Sequence, residues 1–492
     1  MKKLWFILAL SFACYGVFLR STYFFYNRSM WFDETSLAFN ILDKNWWEFF
    51  LPLAHRQTAP VFFMILTKCL SIEAYPEMSM RIIPFISGLA GIGVFLIFVQ
   101  KFIQNKWGQI FAFGFFCFNT QLIFYSQEFK QYGSDALFFM LVLLSAFSLK
   151  FKEASQKKLF FYGLLYALAI GCSQTAIFGA TVVFSDILLT TPFVRFKKPF
   201  FHWKNIGKYM TLTLPFVLTF IPFFLTQFYF HPEKEYFSGW WAKEGGFFAD
   251  NFTHNKNLFW TNMRFFFPFD NIELLFVAGL MLLGFILFLI NLKNKESRLI
   301  VLSILLAFTL TALKIYPFLN RIILYILPLF LILFCKIWDL SSKERNKQIL
   351  SLLLVIPFSF LLGQNAVASY RLFGLKEYNW DNPREAMMLA KEYGKPDDIF
   401  IMQLYRKTYH DFYMKMLDFH PKHIIKAPRE RNGIGLKNRL DKILISGKRY
   451  IYVHHHRSVG KKKGIETYAK DKPEFQVINT RDGKGIVIWR QP

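Results

Sequence analysis

The chain has 492 residues, 54% of them hydrophobic and only 19% charged, against about 45–50% and about 25% in soluble globular domains. With 63 phenylalanines and a mean hydropathy of +0.28, it is too apolar for a single soluble domain, a disordered chain or a coiled coil. The 59 basic residues outnumber the 33 acidic ones for a formal charge of +26, but the excess falls largely in short loops between apolar blocks, which points to membrane orientation rather than nucleic-acid binding.

Taken in chain order, the blocks long enough to span a bilayer lie at 4–25, 82–100, 108–124, 136–149, 159–172, 176–191, 209–229, 273–291, 299–313, 321–338 and 349–366, about eleven in all. The first follows Met-Lys-Lys and has no small-residue cleavage site before the charged stretch, so it reads as an uncleaved helix. With the N-terminus inside, every inner connection is basic: Lys101 and Lys106; Lys150, Lys152, Lys157 and Lys158; Arg195, Lys197, Lys198, Lys204 and Lys208; Lys293, Lys295 and Arg298; Lys336, Lys343, Arg345 and Lys347. Residues 60–71 (PVFFMILTKCLS) are apolar but short. Counting them as a span would reverse the charge rule for the Lys101–Lys106 loop, so they are expected to form an interfacial helix in an external loop.

The outer side then holds the loop 26–81, the turn YSQEFKQYGSD at 125–135, the aromatic loop 230–272, and a tail from about 367. The expected fold is a polytopic α-helical membrane module over 1–366 followed by a small extracytoplasmic α/β domain over 367–492. In that tail, PREAMMLAKEYG has proline at its first turn and glycine at its end, as a helix should. DDIFIMQL and RYIYVHHH read as strands, and EFQVINTRDGKGIVIWRQ as a hairpin turning at Asp482-Gly483. The five cysteines (Cys14, Cys69, Cys117, Cys172 and Cys335) lie in or beside apolar stretches without CxxC spacing and are expected to pack rather than to form disulfides or bind metal.

Asp33 and Glu34 follow Trp31-Phe32 just beyond the first span. Adjacent carboxylates near a lipid interface are costly to hold charged, which suggests a substrate or ion site; equally, acids before the SLAFNIL run suit a helix N-terminus. Glu128, Lys130 and Asp135 cluster in the 125–135 turn and are placed to pair with one another, the alternative being an ordinary polar loop. Arg81 and Arg321 each open a span on the same side, as snorkelling anchors or as phosphate ligands, for which the guanidinium fork is suited. His55 and the His454-His455-His456 run are weak metal candidates, because three consecutive strand residues cannot all face one ion. Asn27-Arg28-Ser29 and Asn251-Phe252-Thr253 match the acceptor sequon. No P-loop is present.

These residues, in this order, resemble the bacterial family 39 glycosyltransferases of the GT-C superfold, which include protein O-mannosyltransferases and lipid A aminoarabinose transferases. The resemblance rests on Asp33-Glu34 after the first helix, Thr58-Ala59-Pro60-Val61-Phe62-Phe63, Arg81-Ile82-Ile83-Pro84, the turn from Tyr125 to Tyr132, and Pro317 to Arg321 before a late helix. It covers about 15–140 well and 310–335 moderately. Lys130 stands where the family usually has arginine, which keeps the charge but loses bidentate binding. Thr58-Ala59-Pro60 replaces the more usual His-Pro-Pro or Glu-Lys-Pro.

The resemblance implies a polyprenyl-phosphate-linked sugar donor in the cell membrane and a lipid, glycan or protein acceptor. Asp33 would be the general base in an inverting single displacement, and Glu34 would position it or help bind a cation. Arg81, Lys130 and Arg321 would stabilise the departing phosphate, while Gln127, Glu128, Tyr132 and His55 would line the substrate site. A divalent cation is allowed but not required, and nucleic acid is not expected. Rival readings are a lipid-linked oligosaccharide polymerase or ligase with a pyrophosphate donor, a lipid or polysaccharide transporter, and an adhesion protein with an external domain. A transporter predicts polar residues in mid-span and inverted repeats.

Overall fold

A computed structural model describes residues 2–191, 194–195, 198–201, 203–341, 345–374, 383–402, 407–426, 444, 448–454, 474–479 and 485–490. The Asp482-Gly483 turn, His455 and His456 lie outside them. Two compact units emerge, one made of residues 1–26 and 45–373 and the other of 27–44 and 374–492.

In chain order the helices are α1 (Lys2–Tyr26), α2 (Phe32–Asp43), α3 (Val61–Leu70), α4 (Pro76–Met80), α5 (Ile82–Phe102), α6 (Lys106–Phe118), α7 (Thr120–Tyr125), α8 (Tyr132–Ser148), α9 (Gln156–Cys172) and α10 (Ala176–Thr190). There follow α11 (Trp203–Phe224), α12 (Lys234–Lys243), α13 (Phe252–Phe266), α14 (Asn271–Leu289), α15 (Lys295–Ala312), α16 (Leu327–Cys335), α17 (Arg345–Gly374), α18 (Pro383–Tyr393) and α19 (Lys407–Met416). The strands are β1 (Val194–Arg195), β2 (Lys198–Phe201), β3 (Ile399–Met402), β4 (His423–Lys426), β5 (Arg449–His454), β6 (Phe475–Asn479) and β7 (Gly485–Arg490).

Each apolar block of the sequence is helical, and the first unit is a polytopic helical membrane module. Among the described residues, six helices are long and apolar enough to cross a bilayer: Lys3–Tyr26, Ile82–Phe102, Asn205–Gln227, Asn271–Leu289, Asn320–Leu340 and Leu353–Leu372. Their surroundings differ. Of the most apolar window of each, 83% is buried in Asn320–Leu340 but only 22% in Lys3–Tyr26, which turns Phe6, Ile7, Phe18 and Phe25 outward. The first is therefore the hub of the module, apolar on every side because protein surrounds it, and the second is a lipid-facing wall. Helix α3 has 10 residues, about 15 Å at 1.5 Å per residue, half of what a bilayer core requires.

Asparagine punctuates the third apolar block. Asn119 leaves the helix at ψ 121°, caps α7 by accepting from Gln121 N and Leu122 N, and donates to Phe266 O at 2.8 Å. A break inside an apolar run is tolerated here because the asparagine side chain takes up two of the N–H groups that the break frees. On the basic side, the loop cations close helix C-termini. Lys336 Nζ donates to Phe102 O at 2.7 Å and Lys295 Nζ to Ala146 O at 2.7 Å, while in the turn that follows α14 Arg298 Nη1 donates to Lys293 O at 2.7 Å and its Nε meets Asp186 at 2.5 Å. Cations at these ends satisfy orphan carbonyls and oppose the helix dipole.

The hub is gripped by close backbone approach. A Cβ on Gly284 of α14 would sit 2.0 Å from Leu333 O of α16, and backbone cannot yield as a side chain can. Gly284→Ala is expected to lose about 3 kcal/mol of stability, the upper range for overpacking, seen as a lower melting temperature in detergent. Gly279→Ala, on the same helix with nothing within 4 Å of its Cβ, is expected to lose none, and equal melting of the two variants would refute the account.

The second unit is an α/β domain. Its sheet has the order β4-β3-β5-β7-β6, with β3 parallel to β4 and β5, and β7 antiparallel to β5 and β6. The expected helix and three expected strand regions are present; α19 and β4 were not anticipated, because HDFYMKM and HIIK are too short and mixed to announce themselves. They complete a β3–α19–β4 crossover, the connection a parallel pair requires. One sheet face carries Ile399, Ile401, Tyr450, Tyr452, Val487 and Trp489, and α18 packs over β5 and β7. Helix α2 belongs to this unit and packs on α19, with Phe39 against Phe412 at 6.1 Å, Ser36 Oγ 3.2 Å from Thr408 Oγ1, and Lys415 paired with Asp43 at 2.8 Å.

Candidate active site

The YSQEFKQYGSD segment is the most informative part of the first unit. Its composition suits a solvated turn, yet Ser126, Gln127, Glu128, Lys130, Gln131, Ser134 and Asp135 are all buried. Burial excludes the ordinary polar loop. Ionisable groups held inside a membrane module are expensive and mark function by default.

Helix α7 ends at Tyr125, the chain turns tightly with Lys130 N donating to Glu128 O at 2.6 Å, and α8 begins at Tyr132. The start of α5 packs against this turn. Ser87 Oγ lies 3.0 Å from Ser134 Oγ, and a Cβ on Gly88 would meet Ser126 Cβ at 2.4 Å, so only glycine admits the approach. Arg81 opens α5 and is 2% exposed, so it is not a snorkelling anchor with its head in water. The short 3-10 helix at Asn320–Ile326 packs on α8 from another side and sets the Arg321 guanidinium over the Tyr132 ring, 5.6 Å from its centroid. Tyr125 packs edge-on to Tyr132 at 5.4 Å. Residues far apart in sequence thus gather at one segment: Lys130, Tyr132 and Arg321 directly, and Arg81 at the head of a helix that packs on it.

The expected pairing within Glu128, Lys130 and Asp135 is revised for Asp135, which accepts from Ser173 Oγ at 2.6 Å while Thr175 Oγ1 donates to its backbone carbonyl at 3.4 Å. This carboxylate ties α8 to the α9–α10 junction. Lys130 Nζ donates to Gln57 Oε1, and Gln57 Nε2 donates to His55 O at 3.1 Å. The His55 side chain is exposed. Gln127 Nε2 donates to Ile123 O at 3.3 Å, and Phe129 stacks on Phe63 at 5.9 Å. Gln57 is the participant that sequence reading missed; it sits one residue before the departure from the family's Pro-aromatic pattern, which was the available signal.

In the second unit, Asp33 and Glu34 lie in the first turn of α2 and have different surroundings. Glu34 is fully buried; its carboxylate accepts from Trp31 N at 3.2 Å and pairs with Arg28 at 3.3 Å. It closes the helix N-terminus, the structural use that acids at this position suit. Asp33 is half-buried in the same turn. Arg28, read in the sequence only as part of a sequon, holds Glu34. The second sequon residue, Asn251, caps α13 by accepting from Thr253 N and His254 N. Among the described residues no group of three or more His, Cys, Asp or Glu side chains is arranged to hold a metal ion.

No family model matches the chain, and no curated protein matches its sequence significantly. Its structure is similar to that of ArnT from Cupriavidus metallidurans bound to undecaprenyl phosphate, with 13% identity, a TM-score of 0.53, and coverage of 99% of this chain and 98% of that one. The apo state of the same protein gives 12% identity and a TM-score of 0.52 over 99% and 98%. An Archaeoglobus fulgidus oligosaccharyltransferase complex with Zn and sulfate gives 12% identity and a TM-score of 0.45 over 91% of this chain and 68% of that one. The chain therefore has the fold of ArnT.

Proposed function

We propose that this protein is an integral membrane glycosyltransferase that moves a sugar from a polyprenyl-phosphate carrier to an acceptor hydroxyl at the outer face of the cell membrane, with its N-terminus cytoplasmic. The observation that carries the reading is the buried segment from Tyr125 to Asp135, where Lys130, Tyr132 and Arg321 gather. Ionisable groups kept in such a place mark a functional site by default, and a lipid phosphate has the charge and the location that suit cations there. The fold shared with ArnT, a protein solved with undecaprenyl phosphate, supports the choice of lipid.

In this reading Asp33 takes the proton of the acceptor hydroxyl as its oxygen attacks the anomeric carbon. The bond from that carbon to the phosphate oxygen breaks, the anomeric centre inverts, and the lipid phosphate leaves with the bonding pair. Arg81, Lys130 and Arg321 offset the charge that grows on it, a role for preorganised cations at low dielectric. Glu34, occupied with the α2 N-terminus and Arg28, positions Asp33 and takes no proton. Domain assignment follows the same lines: a membrane module that holds the donor, and an extracytoplasmic α/β domain.

The test is a donor comparison with purified protein in nanodiscs, offering undecaprenyl-phosphate-linked sugars beside undecaprenyl-pyrophosphate-linked ones. Transfer from the monophosphate alone supports the proposal. Transfer from the pyrophosphate alone moves the protein to the polymerase or ligase class, and lipid translocation without transfer moves it to the transporters.

A further inference from the structure

Resting on that reading, we infer that Gln227 Oε1 and the Nε2–H of His231 hold one hydroxyl of the sugar being transferred. The two side chains stand four residues apart where α11 ends, and they are 0% and 4% exposed. The Gln227 amide donates its N–H to Leu51 O at 2.6 Å, which fixes its orientation. His231 Nδ1 accepts from Glu233 N at 3.1 Å, so the proton of the ring is on Nε2. Among the described residues neither Gln227 Oε1 nor His231 Nε2 has a hydrogen-bond partner. Burying an acceptor and a donor unmet is destabilising, and proteins rarely do so without a use.

The local winding and the neighbouring loop place this pair. Leu225–Tyr229 is a π-helical turn, closed by Phe230 N donating to Leu225 O at 2.8 Å; Gln227 lies within it and His231 follows it directly. Such i→i+5 bonding brings residues four or five apart to one side and recurs at functional sites. The loop fastened to Gln227 at Leu51 is the one that sends Gln57 to Lys130. Its backbone from Leu51 to Gln57 covers at most about 20 Å when fully extended. The left-handed His55 and Arg56, with φ of 60° and 58°, shorten it. The end of α11 is thus one short loop away from the turn where the donor phosphate is proposed to sit.

An uncharged donor and an uncharged acceptor together match a hydroxyl, which gives its own hydrogen to Gln227 Oε1 and takes one from His231 Nε2. An ionised phosphate offers only acceptors and an ammonium only donors, so neither satisfies both atoms. Water and a sugar hydroxyl share this chemistry. The exposed rings of Tyr236 and Trp240 on α12, 5.8 Å apart, favour the sugar, whose C–H face can lie against them. Both polar atoms are covered, and the Phe237 ring packs on that of His231 at 4.9 Å, so a ligand enters when α12 moves aside. That segment is held to the loop by the Arg56–Glu233 pair, 55% and 41% exposed, and pairs in water hold weakly.

Binding to the full-length protein in nanodiscs is followed by native mass spectrometry and folding by thermal melting. The probes are undecaprenyl phosphate, its glucose, mannose and galactose esters, and the monodeoxy forms of whichever hexose ester binds most tightly. The unsubstituted protein is expected to prefer a hexose ester to undecaprenyl phosphate, and to bind one monodeoxy form about tenfold more weakly than its parent. Gln227→Leu and His231→Phe should each weaken the hexose ester about tenfold and leave undecaprenyl phosphate unchanged. Each should also discriminate less between the parent and that deoxy form, because the hydroxyl has lost a partner. No loss with any deoxy form assigns the two atoms to water or packing, and equal weakening of the hexose ester and undecaprenyl phosphate makes their role structural. Either result overturns the inference, as does the absence of a preference for any hexose ester. Should one variant melt early the other decides, and should both, the deoxy series on the unsubstituted protein does. If that protein does not bind undecaprenyl phosphate, it is the proposed function that fails.

Discussion

Asp33→Asn is expected to reduce transfer about a thousandfold while leaving the melting temperature within a degree or two, since a general base contributes about 10²–10⁴ to a rate. The magnitude separates the two uses of an acid at this position. An acid serving only the dipole of α2 contributes about 0.3–1 kcal/mol to stability and nothing to turnover. The work of closing the helix N-terminus belongs to Glu34, which accepts from Trp31 N and pairs with Arg28. Asparagine keeps the size and one acceptor oxygen of Asp33, so α2 has no reason to unravel. The converse variant, Glu34→Gln, is expected to lower the melting temperature and, because Glu34 positions Asp33, to reduce turnover by less than Asp33→Asn does. Transfer by Asp33→Asn within a few fold of wild type would remove Asp33 from the chemistry.

Arg321→Ala is expected to reduce donor use about a hundredfold, in line with removing one preorganised donor from a developing anion. Its position depends on three contacts. Asn320, with φ 47°, is held by its own N–H donating to Asn262 Oδ1 at 2.6 Å; Asn262 Nδ2 binds Phe318 O at 2.8 Å; and the Tyr132 ring lies beneath the guanidinium. Tyr132→Phe keeps the ring face and should stay near wild type. Tyr132→Leu removes it and should cost about 1 kcal/mol in donor binding, close to a fivefold rise in KM. Arg321→Lys keeps charge but not the fork and should fall between Arg321→Ala and wild type. These variants are compared by KM for the polyprenyl-phosphate donor. An Arg321→Ala enzyme with unchanged KM and kcat would refute a phosphate role for this cation.

The candidate site was partly legible because its chemistry is carried by residue types that a membrane chain rarely spends inside it. Glu128, Lys130 and Arg321 are conspicuous in an apolar sequence, and the basic loops order them relative to the bilayer. Gln57 was not legible. A glutamine in a loop has no distinctive composition, and its meaning comes from Lys130, which lies 73 residues away. Asp135 was misread for a related reason: sequence neighbours in a turn suggested an internal cluster, whereas the hydroxyl that takes its carboxylate comes from Ser173.

By itself, then, the sequence determined that the protein is a multispan helical membrane protein, where its long apolar helices run, that residues 60–71 are too short to cross, and that its tail is an α/β fold. These are local properties: length, apolarity and the periodicity of a dozen or two residues decide them. Only tertiary structure decided which apolar helix is hub and which is wall, since Asn320–Leu340 and Lys3–Tyr26 are both apolar but differ in what surrounds them. It also decided that a polar-looking turn is buried, that Arg81 is not at a water surface, and that Asn27–Lys44 joins the C-terminal residues. Burial and partnership are properties of the whole packing, and residue type at one position constrains them weakly.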